Sequence, residues 1–300
     1  MSLPKVAVLM CTYNGERFLE QQLKSIFSQS RVQIVLYVND DGSDDSTLGI
    51  LESFQNGNNV VITRSERIGS SVGYRNLLQL DIQSDYFAFS DQDDIWHHDK
   101  LITLIETIGE TVTPSLAFSN RNYVSSEGFL IGRSKVKATD RHFNFALWEN
   151  LAPGNTQLLN LSAVQLLREK YLNTDTMLID AWIFLIISFC GNVQFVPESL
   201  VSYRLHESNQ IGIPHILKRF RNIYKTIQVH QNLNQSLFEL GPFPNNLNVQ
   251  VLQNELRVLK SRNLAEFLRF LLFSSAGKQS RSMSIAYRIC KVFYFITHKI

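Results

Sequence analysis

Three carboxylates stand within four residues in the stretch Phe87-Ala88-Phe89-Ser90-Asp91-Gln92-Asp93-Asp94-Ile95-Trp96, directly behind a short apolar run. Acids so close repel one another unless protons or a cation neutralise them. The hard divalent ions Mg2+ and Mn2+ take oxygen ligands and share them with substrate phosphates. The apolar run reads as a buried strand that delivers charge to its carboxyl end, where open α/β sheets hold their ligands. The competing reading is a helix cap, with Asp93 or Asp94 capping a helix through Asp99-Lys100-Leu101-Ile102-Thr103-Leu104-Ile105.

Further polar groups follow other apolar runs. Thr12, Tyr13 and Asn14 leave the first one, where backbone groups and the Tyr13 ring could line a nucleotide pocket or simply form a turn. Asp41 lies in Asn39-Asp40-Asp41-Gly42-Ser43-Asp44-Asp45-Ser46; its carboxylate could accept from a pyrimidine N–H or make an Asx turn before the next helix. Arg75, behind Gly69 and Gly73, offers a planar donor fork to a base or a diphosphate, or else a surface ion pair. Trp96 and Trp182 could stack on sugar faces or fill the core.

These groups must be positioned by alternating strands and helices. Lys5–Cys11, Gln33–Val38, Val60–Thr63 and the run before Asp91 read as strands, with helical patterns between them through Phe18–Phe27, Leu48–Phe54 and the segment opened by Gly69. That alternation predicts β-α-β crossovers and an α/β fold with a mainly parallel central sheet flanked by helices. Beyond Trp96, Leu116–Ser119 reads as a strand and residues 125–150 as a charged, Gly-bearing excursion. Leu158–Leu167 passes from strand to helix, Asp180 opens an apolar helix, and Val193–Pro197 and Leu200–Arg204 read as two closing strands. After Pro214 the pattern is helical, broken at Gly241-Pro242-Phe243-Pro244. The expected division is a catalytic domain over 1–213 and a helical extension over 214–300.

Composition excludes several classes. Three hundred residues with 44% hydrophobic side chains suffice for a substantial core. Cys11, Cys190 and Cys290 are odd in number, far apart and without zinc spacing, which points to reduced thiols. The start leaves no room for a secretory signal, and the longest apolar run, Ala181–Cys190, falls short of the roughly 20 residues that span a bilayer. A cytoplasmic location, with possible placement at the inner face of the plasma membrane, is the expectation. Residues 214–300 carry 13 Lys/Arg against 3 Asp/Glu (+10), leaving 16 against 24 (−8) for residues 1–213. The basic tail suits an anionic membrane surface, packing on the catalytic domain or a second subunit of a homodimer. No reading helix or aromatic platform accompanies the charge, so nucleic acid is not an expected partner. A dinucleotide-dependent oxidoreductase is disfavoured because no G-x-G-x-x-G follows the first strand.

Six blocks in order, Thr12-Tyr13-Asn14-Gly15, Asp40-Asp41-Gly42-Ser43, Gly69 with Arg75-Asn76, Asp91-Gln92-Asp93-Asp94-Ile95-Trp96, Asp180-Ala181-Trp182 and Tyr203-Arg204-Leu205-His206, resemble family 2 glycosyltransferases, in particular their bacterial rhamnosyltransferase-like branch. The resemblance covers about residues 4–213. It implies a GT-A fold, a nucleotide-diphosphate sugar donor (dTDP or UDP), Mn2+ or Mg2+, inversion at the anomeric carbon, and a saccharide or polyprenyl-linked acceptor of surface polysaccharide synthesis. By the same resemblance Asp41 reads the base, Asp93 binds the metal, Asp91 lies near the ribose or a metal-bound water, and Asp94 orients the sugar. Asp180 is the implied catalytic base, Arg204 and His206 contact diphosphate or metal, and Gly154-Asn155-Thr156 lines the acceptor cavity. This chain departs from the pattern at Arg67, where relatives carry Asn, and at Ile179-Asp180-Ala181-Trp182, which lacks a neighbouring His and one aromatic. The alternative is a noncatalytic nucleotide-sugar-binding or scaffolding module on the same fold.

Overall fold

The protein is described by a computed structural model covering residues 2–134, 136, 143–146, 150–172, 178–207, 250 and 253. The expected tail helices over 214–300, with the break at Gly241–Pro244, lie outside the described residues, positions 250 and 253 apart; so does part of the excursion before residue 150.

Strands β1 (Lys5–Thr12), β2 (Gln33–Asp40), β3 (Val60–Arg64) and β4 (Tyr86–Ser90) alternate with helices α1 (Leu19–Phe27), α2 (Thr47–Gln55) and α3 (Ser70–Gln79). They lie parallel in the order β3-β2-β1-β4. β1 shows why: it is apolar on both faces, as a strand between two helical layers must be. Val6, Val8 and Met10 pack toward α1, α2 and α4 (Lys100–Ile108); Ala7 and Leu9 pack toward α3, α6 (Leu161–Leu166) and α7 (Ile179–Cys190).

Register sets the site. Thr12 pairs with Asp40 and Met10 with Ser90, so the carboxyl ends of β1, β2 and β4 finish side by side and their loops share one edge. Gly73 lets α3 settle against that edge, because a Cβ there would stand 2.7 Å from Sγ of Cys11.

Past β4 the sheet turns mixed. β8 (Gln157–Asn160) runs antiparallel between β4 and β6 (Ser115–Val124), and β6 pairs in parallel with β9 (Asn192–Arg204). The two expected closing strands are one 13-residue strand. Pro197 and Glu198 are accommodated by a register shift, with Val196 opposite Ser119 and Ser199 opposite Asn120. Part of the excursion after residue 124 is a hairpin strand, β7 (Leu130–Arg133), on β6.

Sequence reading missed β5 (Ile95–Trp96), two residues antiparallel to β9 with Ile95 opposite Ser202 and Trp96 opposite Val201. It stands between Asp93-Asp94 and α4, so neither acid caps that helix. It also draws the acidic loop against the end of β9.

Candidate active site

The loops after β1 and β2 are held by the carboxylates of Asp40, Asp41 and Asp44. Asp40, fully buried, accepts from Thr12 Oγ1 (2.9 Å), Ser43 N (3.0 Å) and Ser43 Oγ (2.6 Å), so Thr12 is a buried tie and not a pocket wall. Asp41 accepts from Ser65 Oγ, Ile68 N and Gly69 N, each at 2.8 Å. It therefore clamps residues 65–69 at the start of α3 and makes no Asx cap on α2. Gln92 accepts from Tyr13 N (2.9 Å) and donates to Tyr13 O (3.0 Å), fixing the exposed Tyr13 beside the acids. Asn14, at φ 47°, exchanges two hydrogen bonds with Asp44. Arg67 has φ 54° and sets its guanidinium 5.5 Å from the Tyr13 ring; Asn is among the residues best suited to that backbone. Arg75 lies half-buried on α3.

The acids converge. Asp91 is pushed up to about 7, first by burial and then by the charges of Asp93 and Asp180, with Arg121 and Lys100 opposing. The Cys11 thiol is pushed up by burial, then by Asp91 and Asp41. Asp93 and Asp180 thus lie near enough to act on Asp91, and Cys11 at the end of β1 stands within reach of both Asp91 and Asp41. Nε2 of His206 stands 2.7 Å from Oδ2 of Asp93, both side chains mostly enclosed.

Asp180 occupies the first turn of α7, half-buried, and accepts from Asn150 Nδ2 (2.7 Å) and Gly154 N (3.1 Å) through one oxygen and Ala181 N (2.9 Å) through the other. Burial outweighs these bonds and raises its proton affinity. A carboxylate so held is aimed and more basic than a surface Asp, as a general base requires.

Four expected contacts are corrected. Arg204 is 2% exposed and its guanidinium is spent within the protein, donating to Asp93 O (3.0 Å), Ser126 O (2.7 Å) and Gln21 Oε1 (2.6 Å); it braces the acidic loop and does not reach a diphosphate. Asp94 has no exposed surface, accepting from Asn155 Nδ2 and from Arg204 N (3.3 Å), so it orients the loop and not a sugar. Trp182 is wholly buried in the α7 core. Trp96 is 3% exposed, with Nζ of Lys100 3.3 Å from its ring centroid. Neither indole can offer a face to a sugar.

Sequence reasoning missed Arg121 and Lys100. Arg121, on β6, stacks 4.4 Å over the Tyr203 ring and 5.3 Å over Tyr123, and its charge acts on Asp91 and Asp94. Lys100 is fully buried. Its signal was spacing, since 100, 104 and 108 form one stripe of the apolar face of α4.

Among the described residues no group of three His, Cys, Asp or Glu side chains could enclose a metal ion. Asp93 and His206, bonded to each other at 2.7 Å, are an adjacent carboxylate and imidazole, groups of the kind that could serve an ion drawing its other ligands from diphosphate oxygens and water.

Residues 7–161 match the family model described as Glycosyl transferase family 2. The dTDP-rhamnosyl transferase RfbG of Shigella flexneri is 31% identical over 220 residues, covering 68% of this chain and 73% of that protein. The chain is a family 2 glycosyltransferase. Solved structures superpose on the transferase with full breadth. The mannosyltransferase PcManGT from Pyrobaculum calidifontis, in complex with GDP-Man and Mn2+, gives a TM-score of 0.60 over 99% of this chain and 88% of its own at 14% identity. S. aureus TarS 1-349 in complex with UDP-GlcNAc gives 0.59 over 98% and 92% at 16% identity. Their likeness establishes the GT-A fold for the transferase.

Proposed function

We propose that the transferase moves a sugar, rhamnose by its likeness to RfbG, from a dTDP or UDP donor to a hydroxyl of a saccharide or lipid-linked acceptor, with inversion, in surface polysaccharide synthesis. The observation that carries the reading is the nearness of Asp93 and Asp180 to Asp91, with the Asp180 carboxylate aimed by Gly154 and Asn150.

Tyr13, Asn14 and the Asp41-clamped loop form the nucleotide side, and one Asp41 oxygen accepts a single bond, from Gly69, leaving capacity for a base N–H. Asp93 and His206 would hold Mn2+ or Mg2+, which supplies charge neutralisation of the diphosphate when bound. Arg121, with Arg75, takes over the diphosphate role expected of Arg204. Asp180 accepts the proton of the acceptor hydroxyl while that oxygen bonds the anomeric carbon from the face opposite the diphosphate. The carbon–oxygen bond to phosphate breaks, and its electron pair leaves with the nucleoside diphosphate. The region 1–213 is the catalytic unit, and the basic 214–300 region meets a membrane face or a second subunit. No helix among the described residues is long and apolar enough to cross a membrane.

Isothermal titration with dTDP and UDP tests the donor side. Binding is expected with Mn2+ or Mg2+ and weakened by Asp93→Ala; no binding with either ion overturns the reading. Donor turnover without acceptor separates an enzyme from a binding module, since only the enzyme leaks slow hydrolysis.

A further inference from the structure

Lys100 has no exposed surface. A buried ammonium is costly unless it is compensated: burial lowers the proton affinity of Lys100, and the charges of Asp94 and Asp91 oppose that fall. Its compensation is specific: Nζ donates to the backbone O of Asn155 (2.7 Å) and lies 3.3 Å from the Trp96 ring centroid.

Asn155 faces two ways. Its carbonyl receives Lys100 and its side-chain Nδ2 donates to Asp94, whose other oxygen receives Arg204 N. The Arg204 guanidinium holds the backbone O of Asp93, which lies against His206. One residue earlier, Gly154 N donates to Asp180. Every bond between the turn at 154–156 and the acidic loop named here passes through Asn155.

We infer that Lys100 is a positioning residue for transfer: by pinning the Gly154-Asn155 turn it sets the distance between Asp180 and the Asp93–His206 pair. The inference rests on the reading of Asp180 as the base. Lys100 touches neither substrate nor reacting atoms. It fixes the separation of acceptor side and donor side, so its loss lets the turn shift away from Asp180 while the groups on the nucleotide side stay assembled.

The test uses the full chain with Lys100→Met, which keeps the volume and removes the charge and donor. Well above the Asp91 midpoint of about 7, where loss of the Lys100 charge does not alter the Asp91 protonation state, nucleotide affinity with Mn2+ and donor hydrolysis without acceptor are expected to stay within about threefold, while kcat for transfer falls by on the order of 30-fold, in keeping with the cost of a misplaced reacting group. The acid limb of the kcat profile moves to higher pH, because Asp180 loses the Gly154 N–H bond that holds its proton affinity down. Where Lys100→Met does not fold, Asn155→Ala, which keeps the carbonyl and cuts the link to Asp94, is expected to lower kcat for transfer with the acid limb unmoved, because the turn stays pinned and Gly154 N still donates to Asp180. Where both fold, their double variant should lose no more than the worse single one, as members of one unit do. Equal losses in transfer and hydrolysis or an unmoved acid limb in Lys100→Met, or native kinetics in Asn155→Ala, overturn the inference. Failure of the functional reading is distinguishable, since it appears in the unsubstituted chain as absent nucleotide binding.

Discussion

Replacing Asp180 with Asn exchanges one carboxylate oxygen for an amide nitrogen and leaves the shape unchanged. The carbonyl oxygen of Asn can take the place of the oxygen that receives Asn150 Nδ2 and Gly154 N, keeping two of three bonds. The amide nitrogen then faces Ala181 N, so one bond is lost, at about 1 kcal/mol. Against that loss stands relief of a desolvated charge and of its repulsion with Asp91. Stability should therefore change by no more than about 1 kcal/mol, a shift of only a few degrees in Tm for a domain of this size. Transfer loses its proton acceptor, worth roughly 100- to 10,000-fold in rate, or about 3–5 kcal/mol of barrier. A second effect follows from the shared cleft. Without the Asp180 charge, Asp91 titrates below its value of about 7, so the pH midpoint of metal-dependent nucleotide binding moves down. Single-turnover transfer with a coupled nucleotide-release assay reads the first effect, and titration calorimetry across pH reads the second. Transfer about as fast as in the native chain would refute Asp180 as the base. An unchanged binding midpoint would refute the coupling to Asp91.

Arg121→Met should leave the fold intact, since its guanidinium stacks on Tyr203 and Tyr123 at a half-buried position, and lower kcat for transfer by on the order of 100-fold, as loss of one charge-stabilising donor does; partial recovery on adding free guanidinium is the confirming result. The Asp91 carboxyl binds its proton more tightly in the folded chain, at about 7 against the ordinary 3.8. That contribution to stability is complete below about pH 4 and is lost as pH rises toward 7. Calorimetric Tm of metal-free protein should fall across that window, and Asp91→Asn should flatten the slope.

The parallel half of the sheet was legible because its strands are apolar on both faces and end in polar turns, as Lys5–Thr12 and Gln33–Asp40 do. The nearness of the loops bearing Asp41, Asp91 and Asp93 followed from that, because loops at the carboxyl ends of adjacent strands must meet; the place of Asp180, in the first turn of a later helix, did not. The division of labour among polar residues was not legible. Residue type cannot tell a guanidinium stacked on two tyrosine rings within reach of Asp91 from one whose donors are consumed by Asp93 O, Ser126 O and Gln21, which is the difference between Arg121 and Arg204. Nor does an indole beside an apolar run declare its depth. Trp96 reached the core through β5, a two-residue strand whose pairing with β9 has no local signature.

Asp41 secures residues 65–69 through three peptide N–H groups, those of Ile68 and Gly69 on its carboxylate and that of Arg67 on its carbonyl, and through the Ser65 hydroxyl, with no hydrogen bond to a side chain from 66 to 68. The geometry of this rim is therefore indifferent to the identity of Glu66 and Ile68, and at position 67 asks only for tolerance of a left-handed backbone. Evolution can exchange these three side chains as a cassette beside Tyr13, trying new donor preferences without having to reinvent the loop that displays them.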